Sequence, residues 1–513
     1  MSQVPGDWRF IVRRRVLGGL IIGGCLVSLP SCSIPALRSP DPGPALPASF
    51  DGMMSNETPS SPTAAQLTLD EFFGDPVLTH LIQESLASNQ EIKILEQEIE
   101  VARNEVTARR GAVFPFITAG AGVGVRKPSL FTPEGAVEDQ LEFQPGKHFP
   151  DPLPDFIGGL RFLWQVDIWR ELRNARDAAN QRFLAATERR NYVLTQLVAE
   201  IAEKYFELRA LDTRLEILNE TIALQEHSLQ VAEANKAAAR GTELGVQRFR
   251  AEVFKNQSER LIVNQEIVEA ENRINFLSGR FPQPVSRASG DFINVTLHAL
   301  SAGWPCQLLA NRPDIRQAER ELAAAGLDVQ VARARFFPRL DITAGVGYQA
   351  FNPRYLFNTP ESLIYSAAGD LVAPLINKSA IRADYLTANA KQLQAVYNYQ
   401  RVVLNAFTEV VNRMRKAENY EKSIAIKKEQ LKALEASVDV ASKLFQNARV
   451  EYVEVLLAQR DLLEARTALV ETKKQQLAAI VNAYQALGGG LLSSQRASDG
   501  PPVACDSPAR PAS

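Results

Sequence analysis

Two kinds of apolar spacing alternate along this chain. Residues 70–111, 170–240 and 246–277 carry the period of three to four that marks amphipathic helices, and so do 313–335, 378–449 and 453–487. The last of these places Leu456, Leu463, Val470, Leu477 and Tyr484 at steps of seven, a coiled-coil seam. Between the helical stretches the period drops to two. Ile117, Ala119, Ala121, Val123 and Val125 share one face of an expected strand, and Thr118, Gly120, Gly122 and Gly124 share the other. Ile342, Ala344, Val346 and Tyr348 oppose Thr343, Gly345, Gly347 and Gln349 in the same way. Phe162, Trp164, Val166 and Ile168 oppose Arg161, Leu163, Gln165 and Asp167, and a fourth strand, over 361–376, alternates poorly.

The transition from helix to strand is written twice. Phe114-Pro115 and Phe337-Pro338 each end a charged helical stretch, because proline cannot donate the next helical hydrogen bond and restrains the residue before it. Phe114 and Phe337 lie 223 positions apart, as do Gly122 and Gly345; further on, Gly279 and Gly488 lie 209 apart. So long a period means a duplicated domain. Each copy reads helix, strand, strand, helix, helix. The expected organisation is a first repeat over 67–280 with strands near 113–126 and 157–169, and a linker over 281–312. A second repeat follows over 313–488 with strands near 337–351 and 361–376.

The stretch 170–240 would extend roughly 100 Å as one helix at 1.5 Å per residue. Helices of that length have no globular domain to bury them and must pack on one another and on neighbouring subunits. Four strands of about ten residues, apolar on one face, have the length of membrane β-strands. They are too few to close a barrel alone, so closure requires oligomerisation. The fold class expected is mainly α with membrane β.

Composition refines this picture at the ends of the chain. Residues 1–31 form an expected signal peptide: positive charge in RFIVRRR, then an apolar core too short for a comfortable membrane-spanning helix. It ends at LPSC, which resembles a bacterial lipoprotein processing box with Cys32 as the lipidated residue. Ser33 follows it, and by that resemblance favours the outer membrane. Residues 33–62 are rich in Pro and Ser, so 32–66 are expected to be a lipidated N-terminus and flexible tether; 489–513 are expected to be a disordered tail.

Among 513 residues the formal net charge is −2, with no basic stripe for nucleic acid. The four cysteines form no CxxC pair and no disulfide framework. P-loop, HExxH, GxSxG and Rossmann glycine patterns are absent. His80, His148, His227 and His298 are scattered, and Met53-Met54 has no nearby ligand, so no metal, no cofactor and no catalytic residue is expected. Trp164 and Trp169 suit either an aromatic belt at a membrane boundary or packing at the strand-to-helix joint.

The segments FGDPVLTHLIQESLASN, WQVDIWRELRNARDAA, NRPDIRQAERELAAA and FFPRLDITAGVG resemble, in order, the TolC/OprM-type outer-membrane factors, in particular the NodT-type efflux lipoproteins. The resemblance runs from about residue 69 to 488. It implies a homotrimer whose twelve strands close one outer-membrane barrel, continued by a long periplasmic α-helical barrel. It further implies a passive exit duct, not an enzyme, for drugs or other small solutes. Its expected partners are outer-membrane lipid, a periplasmic adaptor (membrane fusion protein) and an inner-membrane RND-type pump, and no nucleic acid. The alternatives are the conduit of a type I protein-secretion system and a non-channel periplasmic scaffold. On this reading each Phe-Pro marks where a periplasmic helix meets a membrane strand.

The chain departs from the family pattern at its second hairpin, LFQNARVEYVEVLLAQR. The turn Gly is Ala448, and Leu457 stands where relatives carry an acid; in the first hairpin Gly245 stands where relatives often place Asp. The resemblance puts the gate at the hairpin tips. Val453 and Leu457, four apart, share one helix face, so an apolar constriction is expected there, with Arg460 pairing with an acid such as Glu243.

Overall fold

A computed structural model describes residues 34–47, 50, 67–298, 305–376, 378–447 and 449–490. Its helices are α1 (Leu69–Phe73), α2 (Pro76–Ser88), α3 (Gln90–Gly111), α4 (Pro133–Gln140), α5 (Glu171–Ala237), α6 (Glu243–Leu277), α7 (Pro305–Asn311), α8 (Pro313–Ala334), α9 (Ser379–Gln446) and α10 (Tyr452–Ala486). Its strands are β1 (Phe116–Arg126), β2 (Glu142–Gln144), β3 (Lys147–His148), β4 (Leu153–Val166), β5 (Arg339–Ala350) and β6 (Leu363–Val372). No helix among the described residues is long and apolar enough to cross a membrane. The described residues divide into a strand unit, drawn from 34–39, 110–175 and 326–393, and a helical unit made of the rest of them.

The strand unit is one antiparallel sheet in the order β1-β4-β5-β6. Its register pairs Ile117 with Phe162, Phe162 with Ala344, and Ala344 with Ala367. The strand expected over 157–169 begins earlier, at Leu153, and stops at Val166, where the chain turns into α5. The connection after β1 is not a bare loop. It holds α4 and the β2–β3 hairpin, and Phe143 and Phe149 of that segment pack on Phe351 at 5.0 and 5.1 Å between ring centres.

In the helical unit, apolar residues of several helices meet in one core that includes Phe72, Ile82, Tyr205, Ile274, Leu477 and Tyr484. Phe72 and Tyr484 stack with ring centres 3.9 Å apart, and Phe50 stacks on Phe407 at 5.2 Å. The later part of the heptad seam, Val470, Leu477 and Tyr484, is buried in this core. The amphipathic stretch 70–111 is three helices, not one. Gly74 adopts φ 61°, closing α1 in the left-handed region that glycine enters without penalty, and Asp75 caps α2 with its carboxylate on Val77 and Leu78 N–H. Asn89 then stops α2 and accepts from the N–H groups of Glu91 and Ile92 at the start of α3.

Two expectations of flexibility are corrected in part. Residues 34–47 are held against α9. In the strand unit Arg38 N–H donates to Asn389 Oδ1 at 3.0 Å; in the helical unit Asp41 N–H donates to the Tyr397 hydroxyl at 3.3 Å, and Gln400 donates to the Asp41 carbonyl. Gly488, Gly489 and Gly490 are buried, although the expected tail began at 489. Gly488, at φ 86°, lies so close to Asn311 that a Cβ would stand 2.7 Å from its carbonyl oxygen. Cys32 and residues 491–513 lie outside the described residues.

Candidate functional site

The two helix-to-strand junctions are built alike. Helix α3 ends at Gly111 and α8 at Ala334; in each the residue before Phe and Phe itself close the last turn, with Phe114 N–H on the Gly111 carbonyl and Phe337 N–H on that of Ala334. Pro115 and Pro338 follow, and the strand starts at the next residue. These turns leave carbonyl groups without helical partners. Trp164 donates its indole N–H to the Val113 carbonyl at 3.1 Å, and Trp169 to that of Pro338 at 2.8 Å while stacking on Phe337 with ring centres 4.7 Å apart. Both tryptophans therefore bond at the joints, Trp164 half-buried and Trp169 exposed.

Asp167, between them, is buried. Its carboxylate accepts from the backbone N–H groups of Leu172 and Arg173 and from the Arg173 side chain, and so caps α5. The Trp-x-x-Asp-x-Trp segment is thus one turn, made to leave a strand, cap a helix of 67 residues and fasten two junctions.

The register sorts the sheet into two faces. One carries Ile117, Val123 and Val125 of β1, Phe156, Leu160 and Phe162 of β4, Leu340, Ile342 and Val346 of β5, and Leu363, Tyr365 and Leu371 of β6. No charged side chain lies on it. The other mixes Thr118, Arg161, Gln165, Asp341, Gln349, Ser366 and Asp370, and Arg126, Asp155 and Arg339 nearer the strand ends, with glycines and with Phe116, Ile157, Leu163, Ile364 and Val372. The second edges of β1 and β6 have no strand partner among the described residues. Strands of 10 to 14 residues with one wholly apolar face suit a bilayer. Unpaired strand edges do not, because lipid offers backbone N–H and C=O groups no partner.

The helical hairpin tips form the second element. Ala232 of α5, Val246 and Phe249 of α6 and Val455 of α10 bury one another, with Phe445 of α9 and Tyr452 packed against them. Thr242 caps α6, accepting from Gly245 N–H. The space beside Gly245 is filled by the Tyr452 ring, which a Cβ would meet at 3.2 Å, so any side chain there would need the ring to give by a few tenths of an ångström. Above this cluster Gln225 and Asn256 are bonded at 2.8 Å and Ser228 and Gln459 at 2.9 Å, a buried polar layer invisible to hydropathy.

Val453 is half-buried and Leu457 exposed, and neither joins the tip cluster; Val455, on the other face of α10, does that packing. The pair expected between Arg460 and Glu243 is not made within this chain. Arg460 lies 3.6 Å from Asp461, whereas Glu243 is bonded to Lys236 and, at 2.5 Å, to Gln247. The short turn between α5 and α6 brings Lys236 back beside Glu243, and these two donors hold the carboxyl below its ordinary range. No group of His, Cys, Asp and Glu among the described residues is arranged to hold a metal ion.

Sequence patterns missed Arg312 of the Arg-Pro-Asp-Ile-Arg segment as a structural centre. Its guanidinium is buried and donates to Asp314, to Glu409 and to the carbonyl of Ala486, the last residue of α10. The segment's second arginine, Arg316, pairs with Glu188 at 2.8 Å.

The profile of the outer membrane efflux protein family matches residues 81–280 and 304–489. The chain is 28% identical over 427 residues to the solvent efflux pump outer membrane protein SrpC of Pseudomonas putida, covering 83% of this chain and 88% of that protein. It is 27% identical over 422 residues to the cation efflux system protein CusC of Escherichia coli K12, covering 82% and 88%. Among solved structures, the outer-membrane channel OprN superposes with a TM-score of 0.78 at 26% identity, covering 89% of this chain and 98% of OprN.

Proposed function

The chain belongs to the outer membrane efflux protein family, and from that premise we propose how it works: three copies close one outer-membrane channel that conducts solutes passively out of the cell. The observation that carries the reading is the four-stranded sheet with one apolar face and two unpaired edges. β6 of one copy meets β1 of the next, which removes every edge and turns the apolar faces to lipid. No chemistry is required of the duct. Direction and energy come from an inner-membrane pump of the RND type, reached through a periplasmic adaptor. SrpC and CusC are named for solvent and cation efflux, so small solutes are the substrate class proposed. Cys32, processed at LPSC, carries the lipid that anchors the mature N-terminus in the outer membrane.

The resting gate is an apolar constriction at the tips of the α9–α10 hairpin, where Val453 and Leu457 of three copies face the axis. Their absence from the tip core supports this, since a residue that packs inward cannot line a lumen. Arg460 lies one turn further along the same face and borders it. The test is single-channel recording on purified, crosslinkable trimer. Wild type should run as a trimer and show small conductance steps; Val453→Asp with Leu457→Asp should wet the constriction and enlarge them several-fold. A stable monomer would overturn the duct reading, and unchanged steps from an assembled double variant would overturn this gate.

A further inference from the structure

Arg161 stands alone at mid-strand on the polar face of the sheet. Its register row is Thr118, Arg161, Gly345 and Ser366. The row on one side is Gly120, Gly159, Gly347 and Ile364; on the other it is Phe116, Leu163, Thr343 and Ala368. None of these twelve positions except Arg161 is charged. A hollow of about 550 Å³ opens over the glycines, with Arg161 and Ser366 on its wall. The hollow exists because glycine is required there for the strands themselves: a Cβ on Gly159 would lie 2.6 Å from the Val346 carbonyl oxygen, and one on Gly347 2.5 Å from that of Gly158.

Three acids share the face, Asp155, Asp341 and Asp370, and none lies in the Arg161 row or the rows beside it. Asp341 sits in the Gln165 row, four residues along β4 from Arg161, or about 13 Å, and is paired with Arg339 at 2.8 Å. Asp370 lies opposite Asp341 in that same row. Asp155 is six residues away in the other direction, about 20 Å, and accepts from Gln349. The Arg161 side chain makes no hydrogen bond or ion pair among the described residues, its backbone being held in the sheet between β1 and β5.

We propose that Arg161 makes the barrel stage of the conduit selective for anions. The proposal rests on the reading that three copies close the barrel. Closure turns one arginine per copy into a ring of three positive charges at one level, within a lumen that glycine keeps wide and low-dielectric lipid surrounds. Such a ring concentrates anions and repels cations, as rings of arginine or lysine do in anion pores. The favoured solutes carry a carboxylate, phosphate or sulfonate, and chloride is the simplest probe.

The experiment is the reversal potential of the full-length protein in planar bilayers under a KCl gradient of about 0.03 to 0.1 M, where the Debye length is on the order of 10 Å or more. Wild type should favour chloride over potassium. Arg161→Gln should keep the conductance steps and lower the chloride-to-potassium permeability ratio at least about twofold; Arg161→Lys should keep the ratio. Thr118→Asp, which adds an acid in the same row and leaves Arg161 in place, should give the same fall and stands in should Arg161→Gln not assemble. At about 1 M KCl the variants should converge, because screening shortens to roughly 3 Å. Conducting Arg161→Gln or Thr118→Asp channels with the wild-type ratio at low salt would overturn the proposal. Absence of any conductance from wild type and from the Val453→Asp, Leu457→Asp variant alike would overturn the closed barrel on which it rests, a separate outcome.

Discussion

Replacing Arg312 with Met should destabilise the helical unit more than any surface change of equal size. Arg312 is 2% exposed and makes four hydrogen bonds: Nε and Nη2 to the two oxygens of Asp314 at 3.0 and 2.8 Å, Nη2 to Glu409 at 3.0 Å, and Nη1 to the Ala486 carbonyl at 2.9 Å. Burial alone would pull the guanidinium down, but Asp314 and Glu409 outweigh it and hold it above its ordinary value. Removing one partner of a buried pair costs about 3–5 kcal/mol, because the remaining charge keeps its desolvation cost without its partner. Two features place this site at the lower end. Glu409 retains Arg413 at 2.8 Å, and Asp314 is 16% exposed. One adds to the cost: the Ala486 carbonyl ends α10, where the helix dipole gathers negative charge that Arg312 neutralises. A loss of about 3 kcal/mol, at no more than roughly 2 °C per kcal/mol in a unit of this size, lowers the temperature at which the proposed trimer dissociates by about 5 °C. Arg312→Met with Asp314→Leu should recover part of that loss, since it leaves Glu409 with Arg413 and no orphaned acid. The assay is gel retention of trimer against temperature, with loss of helical ellipticity as a second probe. If Arg312→Met melts within a degree of wild type, or the double variant melts lower than the single one, the charge accounting is wrong.

Glu203 is half-buried and accepts from Asn482; burial raises its carboxyl above the ordinary range against the pull of Arg413 and Lys204. A folded-state pKa raised above the unfolded one favours the native state at low pH, and that contribution fades as pH rises through the raised value. Glu203→Gln should therefore melt higher than wild type at neutral pH and converge with it below about pH 4; a constant difference across that range would show that the charge is not the cause. Palmitate labelling should mark the wild type and not Cys32→Ala, and label surviving the substitution would refute lipidation at Cys32.

The parts of this fold set by local chemistry were legible in the sequence. Proline ends α3 and α8 wherever it stands, so both junctions could be read from Phe114-Pro115 and Phe337-Pro338 alone. Alternation gave the faces of β1 and β5 because a sheet between lipid and water has only two environments. The breaks after α1 and α2 were also written locally: Gly74, Asp75 and Pro76 are a stop, a cap and a start, and a period of 3.6 counted across them hides all three. What could not be read depends on residues far apart in the chain. Arg312 finds Glu409 and Ala486, 97 and 174 positions away, and no spacing rule connects them. The Pro-rich segment 34–47 looked free because composition shows its lack of a helical or strand period but not the Asn389 and Tyr397 side chains that bind its backbone. At the hairpin tips, Val453 and Leu457 could be placed on one face, but the partner of Glu243 was set by a turn whose closure brings Lys236 back to it.

The duplication is not symmetrical in its chemistry, and sheet order explains why. Both tryptophans that fasten the junctions come from the end of β4, in the first repeat, and the second repeat has no tryptophan after β6. β4 lies between β1 and β5, the two strands that begin at the junctions, so its exit turn reaches both Val113 and Pro338. β6 lies at the edge, beside β5 alone. Its exit carries Leu375 and Ile376, both exposed in the single chain. In the proposed trimer that exit runs alongside β1 of the next copy, at the level of the neighbour's Phe114 and Pro115, where Phe114 is also exposed. The joints within one copy are held by indole hydrogen bonds made inside a single chain. The seam between copies meets through aliphatic and aromatic surface, which has no directional demand and gains only when water leaves both sides. The register of the four strands is thus complete within one copy, and the two open edges are what the neighbours of the proposed trimer would close.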